Sequence, residues 1–143
     1  MSILFVSISF NSCNDDDDDA NVVIKDKIIG EWQWDQEFED GVENTLSACN
    51  KQSTIEFFEE GTFTSRDFME DENDECAALD PVNGTWENLR NSMYELGDLE
   101  IVPGVKIDLE VKITFTNNKM TIEYSFEDED GVDYTLSEVY IKI

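Results

Sequence analysis

The stretch from Val105 to Phe126, VKIDLEVKITFTNNKMTIEYSF, decides the fold. Val105, Ile107, Leu109, Val111, Ile113 and Phe115 alternate with Lys106, Asp108, Glu110, Lys112 and Thr114. A period of two places the first set on one face of a strand and the second on the other, so one face is buried and one is wet. Asn117-Asn118 then turns the chain. Met120, Ile122, Tyr124 and Phe126 alternate in the same way with Thr121, Glu123 and Ser125. Two such strands joined by a two-residue turn read as an antiparallel hairpin.

The pattern extends in both directions. Downstream, Asp130-Gly131 turns into a last strand. Val132, Tyr134 and Leu136 share one phase there and Val139, Ile141 and Ile143 the other, which predicts a β-bulge near Ser137-Glu138. Upstream, Ile28, Gly30, Trp32, Trp34 and Phe38 face one way and Glu31, Gln33, Asp35 and Glu37 the other. Asp40-Gly41 closes that strand with a hairpin turn. Ser53–Phe58 and Thr62–Phe68 follow, joined at Glu60-Gly61, then an acidic loop over 70–80 that Pro81 ends. Val82–Asn88 is the next strand, and Ser92–Leu96 a weaker one ending at Gly97, before the break at Pro103-Gly104. Val22–Ile29 reads as a short helical turn. The prediction is an all-β domain over 28–143. It is a small antiparallel up-and-down barrel of about seven or eight strands with a short N-terminal helical turn, a sandwich being the alternative closure.

Composition narrows the function. Nine Lys+Arg stand against 35 Asp+Glu, a net charge of −26. Such a surface repels nucleic-acid phosphates, so no nucleic-acid partner is expected. A hydrophobic fraction of 40%, with 11% aromatic, supplies a core that a disordered acidic chain lacks. The chain has no His, which removes the commonest general base, metal ligand and nucleophile partner. A carboxylate pair able to hydrolyse glycosides is the residual enzymatic class, and no enzyme is expected. The acidic turns Asp71–Glu75 and Glu127–Asp133 both lack the calcium-loop spacing, so no metal and no cofactor is expected. Asn83-Gly84-Thr85 fits a glycosylation sequon but reads as a plain turn.

Residues 1–12 carry no charge and read as the remnant of a signal peptide, too short to span a bilayer. They end in Phe10-Asn11-Ser12-Cys13, which resembles a lipobox, the site at which a Cys is lipidated. Asn14 and the run Asp15, Asp16, Asp17, Asp18 and Asp19 follow. That run resembles the acidic export signal behind the lipidated Cys of surface lipoproteins in the Bacteroidetes. Residues 13–27 then form a lipidated Cys and an acidic linker that like-charge repulsion keeps extended. The expected location is the outer membrane, lipid-anchored and surface-exposed. With Cys13 lipidated, Cys49 and Cys76 remain as a candidate disulfide in an oxidising compartment, two free buried thiols being the alternative.

Three features together resemble the lipocalin-like lipoproteins of the Bacteroidetes. Ile29-Gly30-Glu31-Trp32 looks like the lipocalin G-x-W start, and Cys49–Phe57 with Glu60-Gly-Thr-Phe63 looks like that family's second hairpin. Cys76 followed by Gly84-Thr-Trp86 is the third. The resemblance implies a barrel closed near its start by a short helix, with Gly30 and Trp32 at its floor. Trp34, Phe57, Phe63, Trp86 and Tyr124 are candidates for a cavity wall, or else plain core. Two functions follow. One is non-enzymatic binding of a small apolar ligand or a cell-surface protein partner. The other is a filled barrel serving as an accessory subunit or inhibitor. A hollow interior separates them.

Overall fold

The computed structural model describes residues 25–127 and 130–143. The leader, Cys13 and the Asp15–Asp19 run lie outside the described residues, as do residues 22–24 of the anticipated helical turn. Residues 25–29 form a hydrogen-bonded turn, with Ile29 N donating to Asp26 O at 3.3 Å, in place of a helix. Asp26 stabilises this turn by accepting from Ile28 N through its carboxylate.

The strands are β1 (Gly30–Glu39), β2 (Val42–Asn44), β3 (Thr54–Phe57), β4 (Thr62–Arg66), β5 (Phe68–Glu70) and β6 (Cys76–Ala78). They continue as β7 (Val82–Arg90), β8 (Met93–Val102), β9 (Val105–Thr116), β10 (Lys119–Glu127) and β11 (Asp133–Lys142). β1, β3, β4 and β7 to β11 pair antiparallel in chain order, and β11 pairs back with β1. The result is a closed barrel of eight strands. β2 is an extra strand on the far half of β1, and β5 and β6 form a separate two-stranded ribbon.

The meander gives the barrel two unlike ends. The turns at 58–61, 91–92 and 117–118 lie with residues 25–29 at the floor. The longer connections, 40–53 and 67–81, lie at the mouth with 103–104 and 130–132. Where sharp reversal is needed, short polar residues or Gly take positive φ: Asp40 (48°) with Gly41 (79°), and Asn117 (56°). The core fills the floor half of the lumen. Ile28, Trp32, Phe57, Phe63, Tyr94, Leu96, Val111, Ile113, Met120 and Ile122 are all buried there, with Ile55 beside them. These are the inward positions of the period-two pattern, so the alternation read from 105–126 does set the face.

Four details depart from the sequence reading. The bulge lies on β1, not β11. β10 and β11 pair without interruption from Lys119↔Ile141 to Glu127↔Asp133, while β1 slips by one residue between Trp34 and Gln36. Tyr134, Leu136, Glu138 and Tyr140 therefore share the inner face, and Val139 and Ile141 the outer. The same slip pairs Glu37 with Glu138, which turns Phe38 outward. Asp35 and Gln36 both lie outside, where each takes a hydrogen bond from Lys119 Nζ, at 3.1 and 3.4 Å. Gly97 does not end its strand. It sits in an irregularity of β8 between Leu96 and Leu99, where a Cβ would lie 2.8 Å from Thr85 Oγ1. Finally, the 70–80 segment is largely the β5–β6 ribbon rather than a plain loop.

Candidate functional site

Above the core, the lumen holds a cavity of about 220 Å³. Ile55, Phe63, Val82, Leu96, Leu99 and Leu109 supply apolar wall from β3, β4, β7, β8 and β9. Ser65, Asp67, Tyr124, Glu138 and Tyr140 supply the polar part. A wider, more polar depression lies at the floor end beside Lys27, Asn88 and Arg90.

The polar side is organised around Glu138. The hydroxyls of Tyr124 and Tyr140 both donate to its Oε2, at 3.1 and 3.0 Å. Among the described residues no donor reaches Oε1. Glu138 is partly buried and lines the cavity. Burial pushes its carboxyl above the ordinary carboxylate range, against the two tyrosine hydrogen bonds, and the charges of Glu37 and Asp67 push it further. Burial, then the neighbouring Glu138, likewise raises the hydroxyls of Tyr124 and Tyr140, which stay protonated donors. Asp67 takes a 3.0 Å hydrogen bond from Ser65 Oγ. Glu37 takes one from Asn44 Nδ2 at 2.8 Å. The lysine ion pairs of the described residues engage Glu59, Asp98, Glu123 and Asp35 and leave these three acids alone.

A disulfide between Cys49 and Cys76, with Cα atoms 5.4 Å apart, fixes the mouth. It ties the β2–β3 connection to the ribbon. Asn50 Nδ2 donating to Phe68 O, and Phe68 N to Ser53 Oγ, reinforce the junction from which Asp67 projects. Tyr124, Phe126 and Tyr134 stack in sequence toward the mouth, with centroids 6.1 and 5.2 Å apart.

Of the aromatic residues singled out for a cavity wall, Phe63 and Tyr124 line it. Phe57 and Trp86 pack edge to face below it, 6.3 Å apart, in the floor core. Trp34 lies outside the lining set, and its Nε1 is shut off from solvent with no acceptor among the described residues. Trp32 is 2% exposed at the floor, donating from Nε1 to Ile28 O at 2.7 Å, with Phe115 against its ring and Lys142 Nζ 4.9 Å above it. Gly30 has φ +127°, and a Cβ there would press on Lys142 Cε at 3.1 Å. Asp71 folds its acidic turn around itself, accepting from Asn73 N and Glu75 N. Among the described residues no three acids, cysteines or histidines converge as metal ligands.

Asp67, Glu138 and Tyr140 escaped the sequence reading. The signal for Glu138 was present: it is the one charge within the phase Tyr134, Leu136, Glu138, Tyr140.

The family model for the lipocalin-like domain matches residues 28–122. The chain belongs to the lipocalin-like domain family. No curated protein matches the sequence. Among solved structures it is similar to a protein from Bacteroides eggerthii, with 13% identity, TM-score 0.50, 81% of this chain covered and 99% of that one. It is also similar to a lipocalin-like protein from Bacteroides uniformis, at 12% identity and TM-score 0.50, with 81% and 98% covered. At these identities the likeness concerns the fold alone. Within this lipocalin-like domain, then, the lining of the cavity must carry any argument about function.

Proposed function

We propose that this chain is a lipid-anchored surface protein whose barrel binds one small, largely apolar molecule without transforming it. The observation that carries the binding reading is the cavity. A filled barrel has none, whereas this one keeps about 220 Å³ between an apolar wall and a few convergent polar groups. The anchor reading rests on Phe10–Cys13 and the acidic run behind it. The described chain begins at the floor, where Asp26 accepts from Tyr94 Oη and Asn88 Nδ2. A tether through residues 13–24 would join the barrel at the floor, the end opposite the mouth.

The binding test uses 1-naphthol, a small neutral fluorophore. Saturable binding is expected, and Leu99→Trp, which fills the cavity, abolishes it. Absence of saturable binding by the parent protein overturns the reading in favour of a filled-barrel interaction protein. For the anchor, palmitate labelling of the full-length gene product is expected to disappear in Cys13→Ala. Labelling that persists assigns the lipid elsewhere.

A further inference from the structure

We propose that the molecule this cavity takes is an organic cation, a protonated amine carried on a compact apolar or aromatic body. The inference rests on the ligand-cup reading above and names the chemistry of its occupant. An apolar wall alone would recognise any small hydrophobe. This wall faces Glu138, which lines the cavity and whose Oε2 takes both tyrosine hydroxyls, while Oε1 takes no hydrogen bond among the described residues. Asp67 lines the same cavity, and Glu37 stands directly across from Glu138 on the neighbouring strand.

Three carboxylates gathered in a barrel, with no lysine or arginine paired to them among the described residues, are a costly arrangement. Like charges on facing strands repel, and a buried carboxylate without a counter-ion is penalised by desolvation. A core evolved only for stability would place apolar residues there. A ligand ammonium resolves the cost by giving Oε1 a charge-assisted hydrogen bond and neutralising part of the cluster. The stacked faces of Tyr124, Phe126 and Tyr134 offer an approaching cation attractive surfaces from the mouth inward. The mouth connections carry Glu43, Asp71, Glu72, Asp74 and Glu75, so the field at the entrance draws cations and repels anions. The volume limits the body to a single ring or a short branched chain, below the ~300–1,000 Å³ of drug-sized pockets.

Calorimetry on the mature protein with phenethylamine, its neutral counterpart 2-phenylethanol and the anion 3-phenylpropionate tests the proposal. The amine is expected to bind about tenfold tighter than the alcohol, the scale of one charge-assisted hydrogen bond, and the anion not at all. Glu138→Gln keeps an acceptor for both tyrosines. It is expected to erase the preference for the amine while the alcohol still binds, and Asp67→Asn is expected to reduce that preference. Raising salt from about 0.15 M to about 1 M separates the cavity from diffuse attraction to the acidic surface, because screening removes the latter. A preference that survives salt and vanishes in Glu138→Gln supports the proposal. Equal binding of amine and alcohol, or a preference untouched by Glu138→Gln and Asp67→Asn, overturns it and leaves the ligand cup standing. Failure of the alcohol and of 1-naphthol alike overturns both.

Discussion

Replacing Cys49 and Cys76 together by Ala removes the only covalent link between the two long mouth connections. The bond joins residues 27 apart in sequence. In the chain-entropy model, freeing a loop of that length in the unfolded state costs about 3.5 kcal/mol of stability. Cys49 is 3% exposed, so its truncation adds a small packing loss, whereas Cys76 is exposed and adds none. For a domain of this size the total corresponds to a fall in Tm of about 10 °C or more. Urea unfolding followed by tryptophan fluorescence measures it, with the m-value checking that the unfolded state is more expanded. The loss is also local in its consequences. Hydrogen exchange is expected to accelerate most at residues 45–53 and 67–79, while the amides of Val111, Ile113 and Ile122 accelerate by no more than the global loss of stability. A stability change below about 1 kcal/mol would falsify the loop-closure reasoning. Acceleration at 45–53 and 67–79 no greater than in the floor strands would refute an added local action on the mouth.

Trp32→Ala is expected to cost about 3–5 kcal/mol, the range for emptying a buried aromatic site, and urea midpoints will show it. Trp32→Phe keeps the ring but leaves Ile28 O without its donor, for a loss of about 1–3 kcal/mol. A Trp32→Phe variant as stable as the parent would mean that hydrogen bond is replaceable. Gly84→Ala puts a Cβ 2.6 Å from both the Phe63 ring and Gly97 O, and an overpacking cost of about 1–3 kcal/mol is expected; thermal melts no lower than wild type would contradict the packing described. The ligand-free protein should become more stable on acidification toward the ordinary carboxylate range. Glu138, raised by burial and faced by Glu37, Asp67, Tyr124 and Tyr140, holds a proton in the folded state that the unfolded state has released, so its contribution falls as pH rises through that window. Glu138→Gln should abolish this component of the pH profile, and identical profiles for the two proteins would rule it out.

Fold class, strand order and the inward face of β9 and β10 were legible because each long strand repeats one period over many residues. Where two strands share an ambiguity, the pattern of either alone misleads. The apolar residues Val139 and Ile141 made β11 look bulged, and Phe38 made β1 look regular. Pairing resolves this the other way, because register belongs to two strands at once. Gly97 resembled a terminator for a similar reason, since a Gly in an irregular strand and a Gly at a turn look the same in one chain. The β5–β6 ribbon was masked by the acids of 70–75, whose turn Asp71 stabilises locally. Glu138 and Asp67 went unread because, among 35 acids, nothing marks the few that point inward except a strand phase known to be continuous.

The slip at Asp35 works as an expansion joint in the barrel wall. Up to Gln33, β1 is held by β3 on one side and β11 on the other; from Glu37 onward β2 takes the place of β3. The extra residue falls where one neighbour is exchanged for another. Each half of the strand thereby keeps its own phase, Trp32 and Trp34 over the floor and Glu37 beside Glu138. A one-residue change in length at this point is absorbed locally and leaves the pairing on either side in place. The lining of the mouth half can then change by insertion and deletion without disturbing the core beneath it.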